Sequence, residues 1–244
     1  MKKIAIFVEG ETELEFVSKF LKEAAGQNHI SIDSYKCSGG GKSGRSRCYQ
    51  LLASSMVTDA KYYALIYVSG SDNQVNSDIK RKLPTLKIQG FDQILGLKDL
   101  RGEQYGRTMG LADLPNMELG SNVVERQCLP LPARIVIAVM EIETWFLAET
   151  NHYECVDAGL TKSAVLSSVS TLGFNPYADD LTLRPEPAED LRKLYQVVDK
   201  SYKKIKKHRT RTIECLDYAD IRINLKNRIV KLGELVTEID NFLT

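Results

Sequence analysis

The stretch Lys3-Ile4-Ala5-Ile6-Phe7-Val8-Glu9-Gly10-Glu11-Thr12-Glu13 opens the chain with an apolar run that stops at an acid. A short apolar run of this kind, bounded by a glycine, is typical of a buried strand. Over residues 11–25, apolar side chains then recur at helical spacing, at Leu14, Val17, Phe20, Leu21 and Ala24. The pattern predicts a strand, a tight acidic turn and a helix.

The same alternation continues along the chain. Apolar runs predict further strands at 30–35, 62–68 and 93–97, and periodic patterns predict helices at about 45–56 and 74–88. Strands that read as continuous apolar runs and alternate with helices are typical of a mainly parallel sheet covered on both faces. The predicted fold class is therefore α/β, with helices flanking the sheet.

The second half of the chain is less regular. Glycines and prolines interrupt residues 101–132, which predicts an irregular insertion with a short helix near 122–127. The apolar run at 134–140 predicts a last core strand that enters a helix. Amphipathic patterns predict two later helices, the first of which carries Leu191, Leu194, Val198, Tyr202 and Ile205. We therefore assign residues 1–150 to an α/β core and 151–244 to a C-terminal helical section packed on it.

Cysteine and charge usage excludes several classes of protein. The 244 residues carry a net charge of +1, three histidines and five cysteines, with no Cys-x-x-Cys pair. An odd number of scattered cysteines argues against disulfides and against a zinc site, and favours a reducing cytosol. The apolar run before Glu9 is too short for a signal peptide or a membrane span. We therefore expect a cytoplasmic protein that does not contact a membrane.

Acidic residues follow three of the predicted strands. They are Glu9, Asp99, and the pair Glu141 and Glu143. Ligands of open α/β sheets bind at the carboxyl ends of the strands, and convergent carboxylates without histidine or cysteine suit Mg²⁺ or Mn²⁺. Such a site would support phosphoryl transfer. The alternative is that these acids are favoured there only by solvation and by the helix dipole.

The spacing of Glu141 and Glu143 restricts their roles. Residues two apart share a face on a strand but point about 200° apart on a helix. If the helix has begun, only one of the two reaches the site. We favour Glu143, with Glu141 as a supporting residue or as the alternative ligand.

Four segments together resemble a known family. Val8-Glu9-Gly10-Glu11-Thr12-Glu13 resembles the opening strand and glutamate of the TOPRIM fold of topoisomerases, primases and overcoming-lysogenization-defect nucleases. The segments at 72–79, 94–100 and 141–149 resemble blocks of small stand-alone bacterial TOPRIM-like proteins, some relatives of which are toxin nucleases of phage defence. The resemblance covers roughly residues 3–150. It implies a TOPRIM-like (Rossmann-like) core for the α/β prediction.

The resemblance also implies residue roles. Glu9 matches the TOPRIM glutamate, which binds metal or acts as a general acid or base, while Asp99, Glu141 and Glu143 match later acids of the family. The usual Asp-x-Asp is Asp99-Leu100-Arg101 here, and no acid ends the preceding strand at Ser69. Arg101 removes a ligand and adds a cation able to hold a phosphate. The departure leaves open one metal rather than two, weak binding, or lost catalysis.

Two basic segments are candidates for phosphate contacts. The loop Gly39-Gly40-Gly41-Lys42-Ser43 lacks the first glycine of a nucleotide-binding P-loop, because Lys36 occupies that position. Lys42, with Arg45 and Arg47, would hold a phosphate, or else the loop is a flexible connection. The second segment, 200–211, is rich in Lys and Arg and contains no acid. It is either a nucleic-acid contact through Lys203, Lys206 and Arg209, or a solvated helix face.

Taken together, these features favour a Mg²⁺-dependent nuclease acting on RNA or DNA, with Glu9, Asp99 and Glu143 as its catalytic acids. By resemblance its setting is antiviral defence, as a toxin with a partner ATPase; a homo-oligomer is compatible with the pattern. Two alternatives remain: a catalytically degenerate TOPRIM-like module that binds nucleic acid or protein, and a nucleotide-phosphate hydrolase.

Overall fold

A computed structural model of the protein describes residues 1–27, 29–40, 44–100, 103–104 and 107–244. The chain divides into two compact units. The first unit comprises Met1–Ile137 and Glu234–Thr244, and the second comprises Ala138–Gly233. The sequence predicts this boundary at residue 150, whereas the observed division falls after Ile137 and the chain returns to the first unit at Glu234.

The first unit is built on a six-stranded, mostly parallel sheet in the order β3-β2-β4-β1-β5-β8. A two-stranded hairpin, β6 and β7, lies outside it. The strands are β1 (Lys2–Val8), β2 (Ile30–Ser38), β3 (Cys48–Ser55), β4 (Tyr62–Val68), β5 (Gln93–Asp99), β6 (Glu103–Gln104), β7 (Arg107–Thr108) and β8 (Ala133–Ala138). The arrangement confirms the predicted α/β class and is consistent with a Rossmann-like fold.

Eleven helices accompany these strands in the described part of the chain. They are α1 (Glu11–Ala25), α2 (Asp72–Ile88), α3 (Leu114–Cys128), α4 (Glu143–Ala148), α5 (Tyr153–Val156), α6 (Lys162–Ser167), α7 (Val169–Leu172), α8 (Pro187–Gln196), α9 (Lys206–Cys215), α10 (Tyr218–Ile223) and α11 (Val230–Leu243). None of the described helices is long and apolar enough to cross a lipid bilayer.

Helices cover both faces of the sheet, and the alternation of side chains along β1 shows which helix lies on which face. Ala5 and Phe7 of β1 share a buried apolar cluster with Val75 and Ile79 of α2 and Val124 of α3. Successive strand residues point to opposite faces, so the other side chains of β1 face away from α2. The helix α1, which contacts β1, β2 and β4, covers that opposite face.

The end of α11 belongs to the first unit and is fastened to three strands. Tyr62 at the start of β4 donates a hydrogen bond to the carbonyl of Leu243 (2.5 Å). Gln93 of β5 donates to the Glu238 carboxylate (2.6 Å). Arg134 of β8 forms an ion pair with Glu234 (2.7 Å). The sheet therefore includes contacts with residues far downstream in the sequence.

Three helix predictions were wrong in type or extent. The helix predicted at 45–56 is the strand β3, which pairs with β2 in antiparallel fashion, because tertiary pairing overrides a weak local pattern. The insertion contains α3, which is longer than the short helix expected at 122–127. The helix α8 ends at Gln196, so Tyr202 and Ile205 are not on it.

The second unit contains a disulfide that the cysteine pattern did not predict. Cys155 of α5 and Cys215 of α9 are bonded, with Cα atoms 5.5 Å apart and a sequence separation of 60 residues. An odd number of cysteines argued against such a bond. The bond pairs two of the five cysteines and leaves Cys37, Cys48 and Cys128 as thiols. The prediction that cysteines stay unpaired was therefore wrong.

Removal of this disulfide by Cys155→Ser should destabilise the protein by about 2–4 kcal/mol, because the bond restricts the unfolded chain across a long loop. The measurement is urea unfolding followed by circular dichroism, with and without a reducing agent. Exposed Cys48→Ser is the matched control and should leave the unfolding midpoint unchanged. A Cys155→Ser protein as stable as the oxidised wild type would contradict the expectation.

Candidate functional site

The carboxyl edge of the sheet brings two of the predicted acids to one place. Glu9 follows Val8, which pairs with Val68 of β4 on one side and Leu97 of β5 on the other. Asp99 is the last residue of β5 and is buried. Both acids thus lie where the neighbouring strands β1 and β5 end.

This edge is also the point where the chain connections diverge. From β1 the chain passes through α1 to β2 on one side of the sheet, and from β5 through α3 to β8 on the other. Diverging connections open a crevice at the carboxyl ends of the two strands, which is the usual ligand site of open α/β sheets. Glu9 and Asp99 lie at this crevice.

Two buried polar atoms at the same edge have no hydrogen-bond partner among the described residues. They are Oε2 of Glu9 and Oγ of Ser69, a residue that is 1% exposed. The two backbones are joined here, since Ser69 donates to the carbonyl of Val8 (2.8 Å) and Gly70 to that of Glu9 (2.7 Å). Buried polar groups are nearly always paired, so such atoms mark a place for a ligand, an ion or water.

Ser69 is a residue that sequence reasoning missed. The sequence shows only that this strand end lacks an acid, and no pattern reports that the serine is buried. A small polar residue directly after a buried strand was the available signal. The hydroxyl supplies an oxygen where an acid was expected.

Arg47 ties the glycine-rich loop to this edge. Its guanidinium donates to Asp78 of α2 (3.0 and 2.5 Å), to the carbonyl of Gly39 (2.7 Å) and to that of Ser69 (2.6 Å). The side chains of Arg47 and Asp78 are 6% and 0% exposed. Arg47 therefore holds β4 and α2 together, in contrast to the phosphate contact suggested for this loop. Lys42 and Arg101 lie outside the described residues.

Glu141 and Glu143 lie in the second unit and meet at a lysine. The Lys204 ammonium is 3.2 Å from Oε1 of Glu141 and 3.1 Å from Oε2 of Glu143. Tyr202 donates a hydrogen bond to Glu143 (2.8 Å). Glu141 also accepts a hydrogen bond from the backbone of Ala188 in the first turn of α8 (3.3 Å). A cation of the chain itself thus offsets part of the negative charge of the pair.

Backbone geometry explains how both acids reach Lys204. Glu143 is the first residue of α4, and Glu141 precedes the helix. Between β8 and Glu141, Met140 adopts a left-handed backbone conformation (φ 61°), which changes the direction of the chain. The spacing argument favoured Glu143 alone, but it applies only once the helix has begun. Burial raises the pKa of Glu143, a rise that Lys204 opposes and Glu141 reinforces.

Replacement of Lys204 by methionine should destabilise the second unit in a pH-dependent way. When the pKa of a carboxyl is raised in the folded state, the free energy of unfolding falls as the pH rises above the ordinary pKa of 4.5. Without the ammonium the pKa of Glu143 rises further. The loss should be small at pH 4 and about 1–3 kcal/mol at pH 8, discounted because Lys204 is partly exposed.

Urea unfolding at the two pH values measures this effect. The matched control is Lys203→Met, which removes an exposed neighbouring ammonium and should change the free energy of unfolding by less than about 0.5 kcal/mol. An effect of Lys204→Met that is equal at both pH values would show that Glu143 does not depend on this lysine.

The basic segment 200–211 contains both solvent-exposed cations and cations that form hydrogen bonds within the protein. Lys203 and Lys206 are exposed, and α9 begins at Lys206. Arg209 is 6% exposed and donates to the carbonyl of Lys204 (2.6 Å). Arg211 donates to the carbonyl of Ser201 (2.5 Å). Arg209 is therefore a buried structural group, which weakens its assignment as a phosphate contact, whereas Lys203 and Lys206 face solvent.

Within the described ranges, no group of three or more His, Cys, Asp or Glu side chains is arranged to hold a metal ion. The first unit nevertheless offers Glu9, Asp99 and the Ser69 hydroxyl at one edge. These are oxygen donors only, as hard divalent cations prefer, and one oxygen of Glu9 and that of Ser69 lack partners in the described structure. Oxygen donors of this kind are the ligands that Mg²⁺ and Mn²⁺ prefer.

Comparison with known proteins adds little. No protein-family model matches the chain, and no curated protein matches it either. A structural match is a "putative cell surface hydrolase" from Lactobacillus plantarum WCFS1, with 11% identity and a TM-score of 0.28 over 80% of this chain. The match spans 63% of that protein's own chain. A likeness at this level carries no argument about fold or function.

Proposed function

We propose that the protein is a metal-dependent nuclease that hydrolyses phosphodiester bonds of RNA or DNA. The observation that carries this proposal is the unpartnered, buried Oε2 atom of Glu9 at the crevice between β1 and β5. Asp99 ends the adjacent strand, and Ser69 supplies a second unpartnered oxygen. The TOPRIM resemblance of the Glu9 segment points to the same chemistry.

Glu9 and Asp99, with Ser69, would hold the cation. A bound Mg²⁺ or Mn²⁺ ion would neutralise phosphate charge and lower the pKa of water. The protein's own contribution is to fix these oxygens on the ends of three strands, where the backbone hydrogen bonds from Ser69 and Gly70 hold the Glu9 segment in place. Rigid placement of this kind supplies much of the effect of a catalytic site.

The remaining candidates have narrower roles in this proposal. Glu143 is completely buried against Tyr202 and Lys204, and Glu141 is shared between Lys204 and α8, so both acids support the second unit. Exposed Lys203 and Lys206 would contact the nucleic-acid backbone without reading its sequence. A setting in antiviral defence, with an ATPase partner, follows from the resemblance alone.

The decisive assay offers purified protein a panel of plasmid, single-stranded DNA, transfer RNA and free nucleotides. Each is incubated with Mg²⁺, with Mn²⁺, and with EDTA, using wild-type protein and Glu9→Gln in parallel. We expect cleavage of at least one polymer that requires the divalent cation and is lost in Glu9→Gln. Cleavage of free nucleotides alone would support the nucleotide-phosphate hydrolase instead.

A result without any cleavage would distinguish the degenerate binding module from the nuclease. If wild-type protein binds nucleic acid but cleaves none of the panel with either cation, the nuclease proposal is wrong. The degenerate binding module would then be the better description. Equal cleavage by wild type and Glu9→Gln would show that Glu9 is not part of a catalytic site.

A further inference from the structure

A second candidate site lies in the first unit, on the face of the sheet that α2 covers. It is an open pocket of about 480 Å³ formed by β1, β2, β3, β4 and α2. Its main lining side chains are Tyr35, Tyr49, Tyr63, Tyr67, Lys3 and Lys82. None of these residues belongs to the acidic edge described above.

The tyrosines form an aromatic wall. Tyr67 lies 5.7 Å from Tyr49 in an edge-to-face arrangement and 5.9 Å from Tyr35 in a tilted one. Tyr63 and Phe91 form a second pair with centroids 6.2 Å apart. Tyr35, Tyr49 and Tyr63 are only half-buried, so their rings remain open to a ligand. Aromatic surfaces of this kind stack with any planar base.

The charged side chains that line the pocket are both lysines. The Lys82 ammonium lies 3.4 Å from the centroid of the Tyr49 ring and 5.2 Å from that of Tyr67. Lys3 donates to the carbonyl of Gln89 (3.0 Å). Nearby Asp33 accepts a hydrogen bond from Tyr63, and Asp78 is bound by Arg47. The pocket thus pairs aromatic faces with positive charge.

Burial makes the Lys82 ammonium sensitive to an anion. Partial desolvation lowers the pKa of Lys82. An ammonium in such surroundings gains more from a phosphate than a fully hydrated one does, because the interaction is less screened. The ammonium occupies this face of the Tyr49 ring, so a base stacks there only as Lys82 moves onto the phosphate.

We propose that this pocket binds an unpaired nucleotide, with the base against the tyrosine rings and the phosphate beside Lys82. A neutral aromatic ligand would leave the two lysines without a counter-charge, and a simple anion would leave the rings uncovered. The nucleotide is either free or part of a single strand, since both present the same chemistry. The inference does not depend on the cleavage chemistry proposed for Glu9 and Asp99.

Calorimetric titration in EDTA tests the proposal without cleavage. The probes are AMP, adenosine, ribose 5-phosphate and a short single-stranded oligoadenylate. AMP should bind at least about tenfold more tightly than either fragment, since one stacked base contributes on the order of a tenfold gain or more. Tighter binding of AMP than of the oligonucleotide would identify a free nucleotide as the ligand, and the reverse would identify a strand.

Variants tie the binding to this pocket. Tyr49→Leu should weaken AMP binding at least about tenfold, whereas Tyr49→Phe, which keeps the ring, should change it less than about threefold. Lys82→Gln should weaken AMP binding but not adenosine binding. The absence of saturable binding to any probe overturns the proposal. So does AMP binding that neither Tyr49→Leu nor Lys82→Gln changes in folded protein.

Discussion

Substitution of Glu9 by glutamine is expected to reduce metal-dependent cleavage by at least about a hundredfold. Loss of a group that merely supports a metal ligand already costs about 10- to 100-fold, so loss of a charged ligand should cost more. Glutamine keeps the size of the side chain but removes the negative charge. The rate of the first turnover, with protein in excess over substrate, isolates this effect from product release.

The control for this prediction is Glu23→Gln, which removes a carboxylate at the exposed end of α1. It should leave cleavage within about twofold of wild type, because in the described part of the chain Glu23 forms an ion pair with Lys19. A thermal shift with Mn²⁺ should disappear in Glu9→Gln and persist in the control. A Glu9→Gln protein that retains both cleavage and the thermal shift would remove this residue from the site.

Replacement of Arg47 by methionine is expected to destabilise the protein by about 3–5 kcal/mol. The change leaves the carboxylate of Asp78, which is 0% exposed, without its bidentate partner, and an uncompensated buried charge is costly. Two carbonyls that Arg47 now satisfies, those of Gly39 and Ser69, also lose their donor. Urea unfolding followed by circular dichroism measures the change.

A double variant separates the buried charge from the general loss of packing. Arg47→Met combined with Asp78→Leu removes both charges and should recover part of the lost stability. Arg47→Lys keeps the charge but not the planar fork, so it should fall between wild type and Arg47→Met. A loss of less than about 1 kcal/mol in Arg47→Met would show that Arg81, which also contacts Asp78, is a sufficient partner.

The regular parts of the fold were predictable because they depend on local apolar patterns. The strand through Phe7, its turn at Glu9 and the helix that follows were predicted close to their observed positions. The strand β3 was not, because most of its side chains are exposed and it is held by pairing with β2. Periodicity reports burial, so it says little about an exposed edge strand.

The site was predictable only in part for a similar reason. Strand-end positions predicted that Glu9 and Asp99 lie at the carboxyl edge of the sheet, since topology fixes that edge. The pairing of Lys204 with Glu143, and of Arg47 with Asp78, joins residues distant in sequence, and the Cys155–Cys215 bond does the same. No spacing rule on a single sequence reports such contacts.

The return of α11 to the first unit has a consequence for biosynthesis. Tyr62, Gln93 and Arg134 emerge from the ribosome well before their partners Leu243, Glu238 and Glu234, with the whole second unit translated in between. The contacts of these three strands with residues 234–244 therefore cannot form until Ala138–Gly233 has been synthesised. Completion of the first unit therefore follows translation of the second.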